Sequence, residues 1–151
     1  MSGASGMGLL LCIGLALGAT AEENAKVRAK AKTIEWPVLS EMDYETGKMP
    51  KTLTQALRKP VKIRGYAMPL EASGDGVRSF VLVSDPMFCA HVPPPPPNQL
   101  IMVDLDKALP WQVFEKSLWL TGALEVVEEK STFGGYMYRM KSLAGLEKGG
   151  W

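Results

Sequence analysis

After Pro60, hydrophobic residues recur in short blocks that turn-forming residues separate. Val61, Ile63 and Gly65 alternate with Lys62, Arg64 and Tyr66, which is the period of a strand with one buried face. Four further strand-like blocks follow at 80–83, 100–105, 119–127 and 136–140. The pattern predicts a mainly β fold, a small five-stranded OB-like barrel with a long, bent first strand and one or two short helices. An SH3-like barrel or a small sandwich is the alternative.

The remaining segments set the predicted domain organisation. Pro50 opens a short helix in which Leu53, Ala56 and Leu57 share one face, and a helical interruption is expected near 107–114, between the third and fourth strands. The charged, alanine-rich stretch before the barrel has no apolar periodicity. The predicted organisation is a signal peptide at 1–21, a flexible segment at 22–33, one OB-like barrel domain at 34–147 and a tail at 148–151.

The N-terminus has the features of a secretory signal. An apolar run at 9–17 is followed by small residues at Ala19 and Ala21, which fit a cleavage site after Ala21. The run is shorter than the ~20 residues that a membrane-spanning helix needs. Cys12 follows Leu11, whereas a lipoprotein signal has a small residue before its cysteine. We therefore expect an exported chain that associates with a membrane only if it is lipidated or through a partner.

Residues of metal-ligand type are concentrated at one place in the chain. Cleavage leaves Cys89 as the only cysteine, and His91 is the only histidine. On a strand, residues two apart face the same side, so the two side chains are expected to point together. A thiolate and an imidazole suit zinc or copper(I). Because a structural zinc site usually has four protein ligands, Cys89 and His91 are at most half of one, with Asp85 and Met87 nearest among further donors. Other thioether candidates are Met42, Met49, Met68, Met102, Met137 and Met140.

Five prolines and two amides follow this pair directly: Pro93, Pro94, Pro95, Pro96, Pro97, Asn98 and Gln99. Such a run enforces a polyproline II segment of ~15 Å, without internal hydrogen bonds. It either spans one side of the barrel and fixes the Cys-x-His segment, or docks on an aromatic groove of a partner protein. In the first case the side-chain amides of Asn98 and Gln99 form hydrogen bonds with backbone atoms at the point where the chain enters the next strand.

The composition disfavours several functional classes. The chain carries 17 Lys and Arg against 16 Asp and Glu, so it lacks the basic excess that attracts nucleic acid. The Tyr136 and Tyr138 alternation resembles a base-stacking face, but export also argues against that use. No complete catalytic constellation is visible and no catalytic residue is assigned, so an enzyme is disfavoured. A thiol-reactive redox protein using Cys89 remains an alternative.

The quoted residues resemble a bacterial family of exported proteins and lipoproteins that is classed as a domain of unknown function. The hallmark of that family is C-x-H-x-P-P-P-P-P-N-Q, which this chain has from Cys89 to Gln99. The elements Gly65-Tyr66-x-x-Pro69-Leu70 and Trp119-Leu120-Thr121-Gly122 are similar as well, over roughly 34–146. The resemblance implies a periplasmic protein connected with envelope transport systems and zinc-responsive genes.

Two main hypotheses follow. In the first, the protein is a non-enzymatic envelope protein that binds zinc or copper through Cys89 and His91 and assists metal homeostasis or transport. In the second, it is a structural or protein-interaction module of an envelope transporter, without metal.

Overall fold

Five long strands close into a barrel in the computed structural model, which describes residues 20–89, 93–129 and 134–149. The barrel strands are β2 (Val61–Ser73), β3 (Gly76–Val83), β4 (Ile101–Leu109), β5 (Leu118–Glu129) and β6 (Gly135–Lys148), and a short strand β1 (Lys32–Thr33) lies beside β2. The sheet order is β1-β2-β3-β4-β6-β5, and β5 pairs back with β2. The pairs within the barrel are antiparallel except β4 with β6, which is parallel. The predicted OB-like barrel is confirmed.

Short elements surround this barrel. Strand β1 (Lys32–Thr33) extends the sheet beyond β2 as a parallel neighbour. The helices are α1 (Ala21–Lys30), α2 (Trp36–Leu39) and α3 (Lys51–Ala56), with 3₁₀ turns at Pro86–Cys89, Pro97–Gln99 and Trp111–Val113. The last of these lies within the helical interruption that the sequence predicts at 107–114.

Strand β2 closes the barrel because it pairs with two different strands. Its first five residues, from Val61 to Gly65, pair with β5, and from Tyr66 onward it pairs with β3. A Cβ atom added at Gly65 would lie 2.6 Å from the Val83 carbonyl oxygen. Only glycine fits where the two neighbouring strands crowd the bend, as expected for a strongly coiled strand.

Strand β3 is buried on both faces, unlike a strand with one solvated face. Phe80 and Leu82 belong to the main core inside the barrel, where the Phe80 and Phe114 rings meet edge to face with centroids 5.3 Å apart. Val81 and Val83 face the other way and form a second cluster with Leu100 and Met137. This second cluster joins the end of β3 to the start of β4, the two points between which the proline-rich connection runs.

Residues 34–49, the cover segment, pack on the barrel ahead of α3. Ile34, Leu39 and Met42 are buried in the main core. The Asp43 carboxylate turns the chain through hydrogen bonds with the Thr46 side chain and the Glu45 and Thr46 amides, and these bonds lower the pKa of Asp43. The cover segment is thus part of the fold, although its polar stretch has no strand or helix pattern.

Tyr138 in β6 joins the cover segment to the barrel interior. Its side chain is fully buried, and its hydroxyl donates to the Leu39 carbonyl at 2.8 Å. Burial, assisted by the Glu41 carboxylate, raises the pKa of Tyr138 far above that of an ordinary tyrosine. Tyr136 packs against the same core, so the two tyrosines are core residues and do not form an exposed stacking face.

The N-terminal region falls partly outside the described residues. The predicted signal peptide and Cys12 lie there, apart from Thr20 and Ala21. Residues 22–33, expected to be flexible, have regular backbone in α1 and β1, because a Thr20–Glu23 capping box begins the helix. Helix α1 has no buried residue. Among the described residues, no helix is both long and apolar enough to cross a membrane.

We predict that Tyr138→Phe destabilises the protein at pH 7 by about 1–2 kcal/mol, because the buried Leu39 carbonyl loses the shorter of its bonds and keeps that from the Met42 amide at 3.3 Å. Folding favours the neutral phenol of Tyr138. The contribution of Tyr138 to the free energy of unfolding is therefore complete below the pKa of an unfolded tyrosine, about 10, and is lost as pH rises above that value. In urea unfolding, the difference in free energy of unfolding between the wild type and Tyr138→Phe should therefore become smaller between pH 7 and pH 10.5. Tyr66→Phe is the matched control, and a constant difference for Tyr138→Phe would contradict the assignment.

Candidate functional site

The Cys-x-His segment lies in the connection between β3 and β4, and it begins with a tight turn. The Asp85 carboxylate accepts a hydrogen bond from the Met87 amide at 2.8 Å, and residues Pro86–Cys89 form a 3₁₀ turn. The φ angle of Pro86 suits a helical turn, and the Asp85 carboxylate binds the Met87 amide. The chain therefore cannot continue as a strand here. The strand geometry predicted for Cys89 is therefore wrong, and the same-side argument for Cys89 and His91 no longer applies.

The relation between the two candidate ligands stays a prediction. His91 lies outside the described residues, as do the residues on either side of it. Among the described residues, no three His, Cys, Asp or Glu side chains come close enough to hold a metal ion. Met87 is the methionine of the same turn, and its side chain is 69% exposed.

The other methionines predicted as thioether donors are placed differently. Met42, Met137 and Met140 are buried in the core. Met49 packs partly buried against the main cluster. Met68 and Met102 pack against the second cluster, and the Met102 sulfur also accepts a hydrogen bond from Arg139 at 3.1 Å. The soft donors that remain for a surface site are therefore Met87 and the two residues of the Cys-x-His pair.

The proline run changes conformation before it ends. Pro96 has φ −60° and ψ 152°, which is polyproline II geometry, but Pro97 already begins the 3₁₀ turn Pro97–Gln99. Proline fits the first position of a helical turn because no amide is needed there. Pro93 and Pro94 are exposed, whereas Pro95 and Pro97 are buried. The rod is thus shorter than the five residues predicted, and its second half is seated on the protein.

Asn98 attaches the end of the connection to the cover segment. Its side chain is only 6% exposed, and its amide nitrogen donates to the Ser40 carbonyl at 3.0 Å and the Met42 carbonyl at 2.7 Å. Its carbonyl oxygen is buried, and no described residue donates a hydrogen bond to it. The Gln99 amide donates to the Pro96 carbonyl at 2.9 Å, which holds the turn itself.

The start of β6 completes this end of the barrel. The Tyr136 amide donates to the Tyr44 carbonyl at 2.6 Å. Gly135 has φ 121°, and a Cβ atom there would lie 2.7 Å from the Tyr44 carbonyl oxygen and 3.5 Å from the Pro97 side chain. The cover segment and β6 therefore meet so closely that glycine is required, and the proline turn lies within ordinary van der Waals distance of the same point.

We predict that Asn98→Ala lowers the free energy of unfolding by about 2–4 kcal/mol, because two backbone carbonyls lose their shared donor. Asn98→Asp should cost at least as much, since a carboxylate would face both carbonyl oxygens. Urea unfolding followed by tryptophan fluorescence measures both. Gln99→Ala is the neighbouring control, and equal costs at positions 98 and 99 would contradict the role assigned to Asn98.

Comparison with known proteins places the chain in a family. The family model described as "Protein of unknown function (DUF3299)" matches residues 17–145. The crystal structure of a DUF3299 family protein from Pseudomonas aeruginosa PAO1 is similar with a TM-score of 0.57 at 24% identity, over 80% of this chain and 97% of that chain. That likeness concerns the fold, and no curated protein matches significantly. The chain belongs to the DUF3299 family, as the sequence resemblance to a family of unknown function predicts.

Proposed function

We propose that this protein is an exported, non-enzymatic protein of the bacterial envelope that binds a soft transition-metal ion, zinc or copper(I), through Cys89 and His91. The observation that carries the proposal is the way in which the β3–β4 connection is fixed at both ends. Val83 and Leu100, which flank it, are fully buried in one cluster. A loop whose two ends are already fixed loses less conformational entropy on binding an ion than a loop whose ends are free.

The immediate surroundings of Cys89 support a soft metal over a hard one. Met87 is exposed two residues before it and offers a thioether sulfur. Thiolate, thioether and imidazole donors favour copper(I) or zinc, whereas calcium and magnesium require oxygen donors. Asp85 is the acidic residue of this turn, and its carboxylate already accepts the Met87 amide.

The small number of donors fits metal delivery better than permanent storage. Cys89, His91 and Met87 make at most three soft donors, one fewer than a closed tetrahedral zinc site uses. An open position allows a donor from another molecule to enter and to take the ion. The proposed partner is therefore a component of an envelope transport system that receives the metal.

A metal-free interaction module is the second candidate, and one observation favours it. Pro93 and Pro94 are exposed while Pro95 and Pro97 are buried. The first part of the proline run is therefore open to solvent, and its second part packs on the protein. Exposed polyproline II segments dock on aromatic grooves because little entropy is lost on binding.

We predict that Cys89→Ser and His91→Ala each weaken copper(I) or zinc binding more than about tenfold in an anaerobic titration against a chromophoric chelator. The expected size follows from metal sites in which even an outer-shell change costs 10–100-fold in affinity. Met87→Leu should have a smaller effect, and Met68→Leu, at a half-buried methionine elsewhere, should have none. Unchanged affinity in both ligand variants would rule out the proposed site and favour the interaction module.

We also predict that bound metal protects the Cys89 thiol from alkylation. A thiolate that coordinates an ion is not free to attack iodoacetamide, so the labelled fraction of the Cys89 peptide should fall several-fold on metal loading. Mass spectrometry of the digested protein measures this at Cys89 separately from Cys12. Fast labelling that metal does not slow would instead support the thiol-reactive alternative.

A further inference from the structure

A second surface feature, a basic cleft beside strand β1, has no part in the metal proposal. The cleft has a volume of about 560 Å³ and lies between β1, helix α3 and the first residue of β2. None of its lining residues belongs to the β3–β4 connection. Its properties therefore call for a separate explanation.

The residues that line the basic cleft carry a net positive charge. Lys32, Arg58 and Lys59 contribute three positive charges, and among the described residues no acidic one lines the cleft. All three side chains are exposed, and within the described part of the chain none of them forms an ion pair. The whole chain has a net charge of only +1, so this concentration is local.

Neutral hydrogen-bond donors line the same space. Lys32 and Ile34 donate their amides across to β2, to the Pro60 and Lys62 carbonyls at 3.0 Å each. Because alternate residues of a strand direct their amides to opposite sides, the Thr33 amide points away from β2, at the open edge of β1. Thr33 and Thr52, which each carry a hydroxyl, are also lining residues of the cleft.

The floor of the cleft is apolar. Ile34 and Val61 line it and are nearly fully buried in the main core. Ala56 of α3 is half-buried beside them and packs against the same core. A ligand with an anionic group at the rim and a small apolar part toward the floor matches this distribution.

We propose that the basic cleft binds a phosphate ester. An arginine fork, two lysine ammonium groups and hydroxyl donors can together surround a tetrahedral group with several acceptor oxygens. A carboxylate has only two oxygens and would leave part of this donor set unused. A soluble phosphate ester and the headgroup of an anionic phospholipid share this chemistry, and they are told apart by experiment.

The first arm titrates the full chain with phenyl phosphate at low ionic strength and follows backbone amide shifts by NMR. We expect shifts centred on Lys32, Thr33 and Arg58, and binding that weakens with added salt because the charges are exposed. Arg58→Gln/Lys59→Gln should weaken binding at least fivefold. Lys107→Gln/Lys148→Gln removes the same charge from exposed sites outside the cleft and should leave the affinity within twofold.

The second arm uses vesicles of phosphatidylcholine with or without one quarter phosphatidylglycerol, with co-sedimentation as the readout. Binding that needs phosphatidylglycerol and the Arg58–Lys59 pair assigns the cleft to a lipid headgroup. Response to phenyl phosphate alone assigns it to a soluble ester. The proposal is overturned if neither probe binds, or if both charge-removal pairs weaken binding equally. The Cys89→Ser protein should behave as wild type in both arms, so this outcome is independent of the metal site.

Discussion

The double pairing of β2 is the constraint on which the rest of the structure depends. The strand pairs with β5 before Gly65 and with β3 after it, so a single strand closes the sheet into a barrel. The bend requires a residue without a side chain, because the Val83 carbonyl occupies the space that a Cβ would need. Closure removes most free strand edges and fixes where every connection starts and ends.

The connection between β3 and β4 is held by apolar burial on one side and by hydrogen bonds on the other. Val83 and Leu100 bury its two ends in the same cluster. Asn98 then binds two carbonyls of the cover segment, and Tyr138 binds a third from inside the barrel. Buried polar groups of this kind are costly unless paired, so they specify one position of the cover segment.

Two surface regions of different chemistry result from this arrangement. The β3–β4 connection carries the candidate donors of the proposed metal site. The basic cleft beside β1 carries hard cations and hydroxyls over an apolar floor, which suits a phosphate ester. Together the two proposals would combine metal binding with attachment to an anionic ligand, at sites that share no residue.

The sequence alone predicted the barrel, because the alternation of apolar residues and the glycine-bearing turns between strands can be read along the chain. It also identified Cys89, His91, Asn98 and the prolines as the unusual segment, and the family to which the chain belongs. The 3₁₀ turn at Cys89 follows from two local signals, Asp85 and Pro86, which outweigh the predicted strand geometry. The tertiary structure decided the position of Asn98 and the cleft at Lys32, since both bring together residues distant in the chain. Such contacts depend on how the closed barrel places its connections, which periodicity along the chain cannot encode.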